Sequence, residues 1–141
     1  MESNGNVKHM KIVEITQRPL IMFVCAFLFT ITAVRVVLFL SPFLNLNVGF
    51  YNVHHLFIGA LLLVGAAIFF IAGFANTVLT NIAGVGSALV LDEIVYLIGT
   101  DGSDLAYLTP VSFIGAIVLT IFAFILVIIA YRLRIKKSYI P

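Results

Sequence analysis

The chain has 141 residues, of which 62% are hydrophobic and only 10% are charged, and its formal net charge is +2. Soluble domains carry about a quarter charged residues, so this composition excludes an ordinary water-soluble domain and indicates a protein that the lipid bilayer solvates. The small net charge provides no footprint for nucleic acid, and the length predicts a single domain.

Four apolar stretches are long enough to cross a membrane as helices, which takes about 20 residues each. They cover residues 20–40, 54–74, 81–99 and 110–131. Pro110 opens the last stretch, a position where its missing N–H group costs little. The runs are too long and too uniformly apolar for the strands of a membrane barrel. The predicted fold class is therefore all-α, a four-transmembrane-helix bundle, and the polar first ten residues are expected to be disordered.

The positions of the basic residues predict the orientation. Three of the eight precede the first span, four follow the last, one lies within a span and none lies in a connecting loop (Lys8, Lys11 and Arg18; Arg132, Arg134, Lys136 and Lys137; Arg35). Because cytoplasmic flanks collect Lys and Arg, we expect both termini in the cytoplasm of a protein of the cell (plasma) membrane. Segments 41–53 and 100–109 are then external, and a short internal turn joins spans two and three.

Three charged residues lie inside the predicted spans: Arg35 in the first, and Asp92 and Glu93 in the third. A charge near the bilayer centre is costly unless it is paired or hydrated. All three lie about 8–10 Å below the outer ends of their helices. We therefore expect the guanidinium of Arg35 to pair with one of the carboxylates. One base cannot neutralise two acids, so a carboxyl must keep its proton, bind a cation or meet water.

Small residues predict where the second and third spans approach each other. They recur at helical spacing in both spans (Gly59, Ala66 and Gly73; Gly84 and Ala88). Because small side chains let membrane helices come close, these stripes are expected to pack together. Tyr96 lies one turn above Asp92, where it either donates a hydrogen bond to that carboxyl or serves as an interfacial aromatic residue. Tyr96, Arg35, Asp92 and Glu93 form the predicted buried polar cluster.

His54 and His55 open the second span. Imidazole and carboxylate ligands suit zinc, iron, manganese or copper, so the two histidines with Asp92 and Glu93 are a candidate site for a divalent or transition-metal ion. Adjacent helical residues point about 100° apart, and the histidines are expected about 8 Å or more above the carboxylates. Structural ion pairing, a proton or cation site and a metal site are the three interpretations that these residues leave open.

The segments HHLFIG (54–59) and GVGSALVLDEI (84–94) resemble a set of small prokaryotic polytopic membrane proteins. These pair an HHxxxG helix start with a glycine-rich helix that carries LDE. The resemblance covers about residues 54–96, and it maps onto seven positions (His54, His55, Gly59, Gly84, Gly86, Asp92 and Glu93). It implies a membrane fold but no established activity, so it names no role for these residues.

Three functions are compatible with this sequence, and none of them identifies a catalytic residue. The first is a small integral membrane protein whose buried polar cluster stabilises the bundle and binds a proton or cation. The second is an accessory subunit of a larger membrane complex, or a homo-oligomer, because four short spans leave little room for an independent active site. The third is a membrane enzyme that uses the histidine and carboxylate metal site.

Overall fold

The structure is a computed structural model that describes residues 3–44, 47–48 and 51–138, with side chains over 18–44 and 53–133. Its four α-helices are α1 (Ser3–Leu40), α2 (His55–Ile71), α3 (Thr77–Gly99) and α4 (Pro110–Ser138). A two-residue antiparallel ladder pairs β1 (Asn47–Val48) with β2 (Tyr51–Asn52), and a 3-10 helix spans Asp104–Leu108. The described chain is thus all-helical apart from this ladder.

Three helices are long and apolar enough to cross a membrane, over Arg18–Leu40 of α1, the whole of α3 and Pro110–Leu133 of α4. Helix α2 has 17 residues, which is at the lower limit for a span. The structure therefore confirms four helices, three of them long and apolar, and the crossing of the membrane by α2 stays a prediction. In α1 the helical backbone begins at Ser3, whereas the polar composition of the first ten residues predicts disorder.

Helix α2 ends at Ile71, three residues before the predicted end at residue 74. The cause is Gly73, whose φ of +88° takes the chain out of the helix. The N–H groups of Gly73 and Phe74 donate to the carbonyls of Phe70 and Phe69, and the rings of Phe69 and Phe74 pack edge to face. This is a Schellman end with its hydrophobic contact. Gly73 therefore terminates the helix. The packing role that the sequence predicts for it stays a prediction.

Helix α3 begins at Thr77, four residues before the predicted start. Asn76 caps it, because its side-chain oxygen accepts a hydrogen bond from the Leu79 N–H at 2.9 Å. Five residues, 72–76, connect α2 to α3. The outer end of α3 at Gly99 and the start of α4 at Pro110 coincide with the boundaries that the sequence predicts.

Contacts divide the chain into two units, Met1–Val90 and Leu91–Pro141, with the boundary inside α3. The single domain inferred from the length stays a prediction. In the first unit, α2 and α3 meet at two glycines: a Cβ added to Gly59 would lie 2.7 Å from the Gly86 carbonyl oxygen, and one on Gly86 would lie 2.8 Å from the Gly59 oxygen. Gly59 also lies beside Leu89, while Leu63 lies beside Gly86, so the two helices run antiparallel.

Two further contacts of α3 involve small residues. Within the first unit, Gly84 lies against α1, where an added Cβ would be 2.7 Å from the carbonyl oxygen of Phe23. Within the second unit, Val95 packs directly onto Gly115 of α4, and Gly99 lies beside Val111. Small residues therefore allow a close approach to α3 in each unit taken by itself.

Candidate functional site

Helix α3 is the one span with an extensive buried face. In its 18-residue apolar window 39% of the residues are buried, compared with 6% in each of the windows of α1 and α4. The buried residues of α3 include small, apolar, acidic and aromatic side chains (Leu79, Gly84, Gly86, Ala88, Asp92, Glu93 and Tyr96). This helix therefore carries polar groups into the interior of a protein that is otherwise strongly apolar.

Two adjacent carboxylic acids are the most deeply buried polar groups on α3. Asp92 is 0% exposed and Glu93 is 2% exposed. They lie about 9–10 Å along the helix from its end at Gly99. An ionised carboxylate that is transferred from water to an apolar interior is strongly disfavoured unless it is compensated. The local chemistry of this acid pair therefore demands a proton, a cation or an opposite charge.

Tyr96 connects the last turns of α3 to the loop that follows. Its hydroxyl donates a hydrogen bond to the Gly102 carbonyl, so the single phenolic proton goes to the loop and not to Asp92. Its ring packs edge to face on the ring of Tyr107, with 5.3 Å between the centroids. The Thr100 hydroxyl donates to the Tyr96 carbonyl at 2.6 Å. The loop is thus folded back alongside the end of α3.

The loop 100–109 has its own internal structure. The N–H and the hydroxyl of Ser103 donate to Asp101 Oδ1, at 3.1 and 2.8 Å. These hydrogen bonds, with the backbone N–H as the larger cause, lower the pKa of the Asp101 carboxyl. Gly102 has a φ of +73°, a conformation that favours glycine. The sequence motif TDGSD therefore forms a closed polar turn that carries two acids, Asp101 and Asp104.

Two buried polar residues of this region were not among the predicted site residues. Ser112, in the first turn of α4, is fully buried, and so is most of Tyr107, which contacts Tyr96. Ser112 carries a signal in the sequence, because a hydroxyl in an apolar run is a polar group inside a span, as the carboxylates are. Tyr107 carries none, since its burial depends on the way the loop folds back.

Arg35 and the two histidines belong to the first unit. Arg35 lies in α1 and is partly buried, and its pairing with an acid of α3 stays a prediction. His54 precedes α2 in an extended conformation and His55 is the first helical residue, so α2 does not begin before His54. Among the described residues, no three His, Cys, Asp or Glu side chains form a group that could hold a metal ion. The metal site at the histidines and carboxylates therefore stays a prediction.

Comparison with known proteins found no matching family model, no matching curated protein and no matching solved structure. The resemblance to small prokaryotic membrane proteins consequently rests on the two motifs alone.

Proposed function

We propose that this is a multi-pass membrane protein that binds a proton or a cation at the Asp92–Glu93 pair, within the membrane. The observation that carries the proposal is the burial of two adjacent carboxyls on a 23-residue helix that is long and apolar enough to cross a bilayer. Ionisable side chains are rare at such positions and mark proton and ion sites when they occur.

The charge balance of the spans supports a ligand with positive charge. Between residues 19 and 131 the sequence has one arginine, Arg35, against four acids, of which Asp101 and Asp104 belong to the loop beyond α3. Even when Arg35 compensates one buried carboxylate and stabilises the bundle, the second needs a proton or a cation. The two loop acids lie at the same end of α3, and their negative potential attracts cations and repels anions.

The orientation belongs to the same proposal. Basic residues lie in the first part of α1 and the last part of α4 and are absent from the loops, which supports cytoplasmic termini. Two termini on one side of the membrane require an even number of crossings. Helix α2 must then be the fourth span despite its 17 residues. Its antiparallel contact with α3 through Gly59 and Gly86 supports this, because a helix that runs back along a span also crosses most of the bilayer. The acid pair is then in the outer half of the plasma membrane.

Labelling with a hydrophobic carbodiimide tests the proposal directly. This reagent reaches carboxyls from the lipid phase and modifies them only when they are protonated. We expect the purified protein in lipid nanodiscs to form one adduct on the α3 peptide that contains Asp92 and Glu93, as measured by mass spectrometry. Raising the pH should suppress that adduct. Alkali and alkaline-earth chlorides are then added one at a time, and a cation that binds the pair should also suppress it.

Matched variants identify the modified acid. Asp92→Asn and Glu93→Gln each remove one carboxyl with little change of shape, and the adduct should disappear in one of them. Glu14→Gln removes an acid that lies outside α3 and the loop after it, and serves as the control, with labelling of α3 unchanged. A folded protein whose α3 peptide forms no adduct at any pH would overturn the proposal.

A further inference from the structure

The position of Tyr96 relative to the acid pair is set by helix geometry. At about 100° per residue, Tyr96 projects about 40° from the direction of Asp92 and about 60° from that of Glu93, between the two. It lies about 6 Å above Asp92 and about 4.5 Å above Glu93 along the axis. Tyr96 therefore lies between the acid pair and the outer end of α3, on the side of the helix that the two acids share.

Contacts from the loop hold this ring in place from two sides. The Tyr96 hydroxyl is bound by the Gly102 carbonyl, and the ring is packed against Tyr107, which lies in the 3-10 helix before α4. Both rings are 5% exposed, and Ala106 beside Tyr107 in sequence is 7% exposed. Gly102 and its neighbours on the turn are themselves exposed to solvent. These contacts therefore lie between a water-facing loop and the part of α3 that carries the buried carboxyls.

We propose that loop 100–109 is the outer gate of the acid pair, and that the Tyr96–Gly102 hydrogen bond keeps it closed. The inference rests on the proposed function, because a gate has meaning only where a proton or cation enters. Opening requires the loss of one hydrogen bond and the displacement of one aromatic contact. Water and a hydrated cation then reach Asp92 and Glu93 along the side of α3 that Tyr96 covers.

Two carbodiimides of different solubility test the gate. The hydrophobic reagent reaches the pair through lipid whatever the state of the loop, whereas a water-soluble carbodiimide must enter through the aqueous route. Labelling in nanodiscs exposes both faces of the protein to water, so the result does not depend on orientation. Mass spectrometry of the peptides gives the labelling rate of the acid pair, and Glu14, which lies outside the loop, serves as the internal standard.

Two variants open the gate from opposite sides. Tyr96→Phe keeps the ring and removes the hydrogen bond, and Gly102→Ala disturbs the loop, because alanine rarely adopts the φ of +73° found there. We expect each to accelerate water-soluble labelling of the pair about fivefold, the shift in an opening equilibrium that the loss of one hydrogen bond produces. Tyr131→Phe makes the same chemical change in α4, far along the chain, and should leave the rate unchanged. Size-exclusion profiles that match the parent show that each variant is folded.

The outcomes separate the gate from the acid site. Faster water-soluble labelling in both gate variants, with unchanged hydrophobic labelling, supports the gate. Equal water-soluble rates in the parent and both variants, while the hydrophobic reagent still labels the pair, overturn the gate and leave the acid site standing. Failure of the hydrophobic reagent to label the pair in every form overturns the proposed function and the gate with it.

Discussion

Helices α3 and α4 both qualify as membrane spans, yet their surfaces are used in opposite ways. The most apolar window of α4 has a mean hydropathy of 3.1 and is 6% buried, whereas that of α3 has 1.7 and is 39% buried. The less hydrophobic helix is therefore the more interior one. Hydropathy identifies a span, but the polar and small residues within a span indicate which helix is enclosed by protein.

The physical reason is that lipid, and not water, is the solvent for the apolar surface of a membrane span. Lipid tails are as apolar as leucine, so large apolar side chains gain little from contact with another helix, and α4 leaves many of them exposed (Val111, Phe113, Ile114, Val118, Ile121 and Phe122 among others). Close backbone approach and polar contacts provide the association energy instead. Helix α3 has the close approach through its glycines, and Tyr96 adds a polar contact to the loop that follows.

The largest expected effect concerns the charge balance of α3. Arg35→Ala removes the one arginine between residues 19 and 131 and leaves two buried acids without it, which we expect to cost about 3–5 kcal/mol of stability. Asp92→Asn or Glu93→Gln should each cost less, because each reduces the surplus of acid. Thermal unfolding in a mild detergent measures the three variants side by side. Equal tolerance of all three would mean that Arg35 does not compensate the acid pair.

A matched pair of leucines tests the difference in burial. Leu79 of α3 is 8% exposed and Leu126 of α4 is 51% exposed. Leu79→Ala should leave a cavity and cost about 2–5 kcal/mol, whereas Leu126→Ala should stay within about 0.5 kcal/mol. The same unfolding measurement applies. A comparable loss for Leu126→Ala would show that another molecule covers this face of α4, which would favour the homo-oligomer or accessory-subunit interpretation.

A matched pair of glycines on α2 and α3 tests the close approach of the helices. Gly86→Ala places a methyl group 2.8 Å from a backbone oxygen of α2, and the overpacking should cost about 1–3 kcal/mol. Gly65→Ala, on the other helix of the pair, meets nothing within 4 Å and should gain about 0.5–1 kcal/mol from helix propensity. If both variants are equally stable, the contact between Gly59 and Gly86 is not tight.

The fold could be predicted where boundaries depend on local chemistry. Pro110 opens α4 where a proline at a helix start is expected, and α3 ends at Gly99. The apolar pattern does not predict the end of α2, because the apolar run continues to Phe74 while the positive φ of Gly73 ends the helix. The start of α3 was missed because Asn76, which caps it, lies in a stretch whose composition is that of a turn.

The site could be predicted only in part. The position of two acids inside a span follows from counting residues along an apolar run. The partner of Tyr96 does not, because its hydroxyl proton goes to a loop whose fold depends on Gly102 and Tyr107 and on no periodic pattern. Contacts that are brought about by chain reversal are invisible to helical spacing, so the loop appeared in the sequence only as a polar, external segment.

The smallest expected effect is a pH dependence of stability that arises in loop 100–109, the connection between α3 and α4. Hydrogen bonds from Ser103 lower the pKa of Asp101 in the folded protein, so this carboxylate contributes stability above its unfolded pKa of about 3.9. That contribution is lost as the pH falls through the lower, folded pKa.

The variant Asp101→Asn lacks the charge at every pH. The parent should therefore be slightly more stable than the variant near neutrality, and the stabilities of the two proteins should converge in acid. Thermal unfolding of both proteins across this range measures the convergence. A constant difference would show that the Asp101 charge plays no part in holding the turn closed.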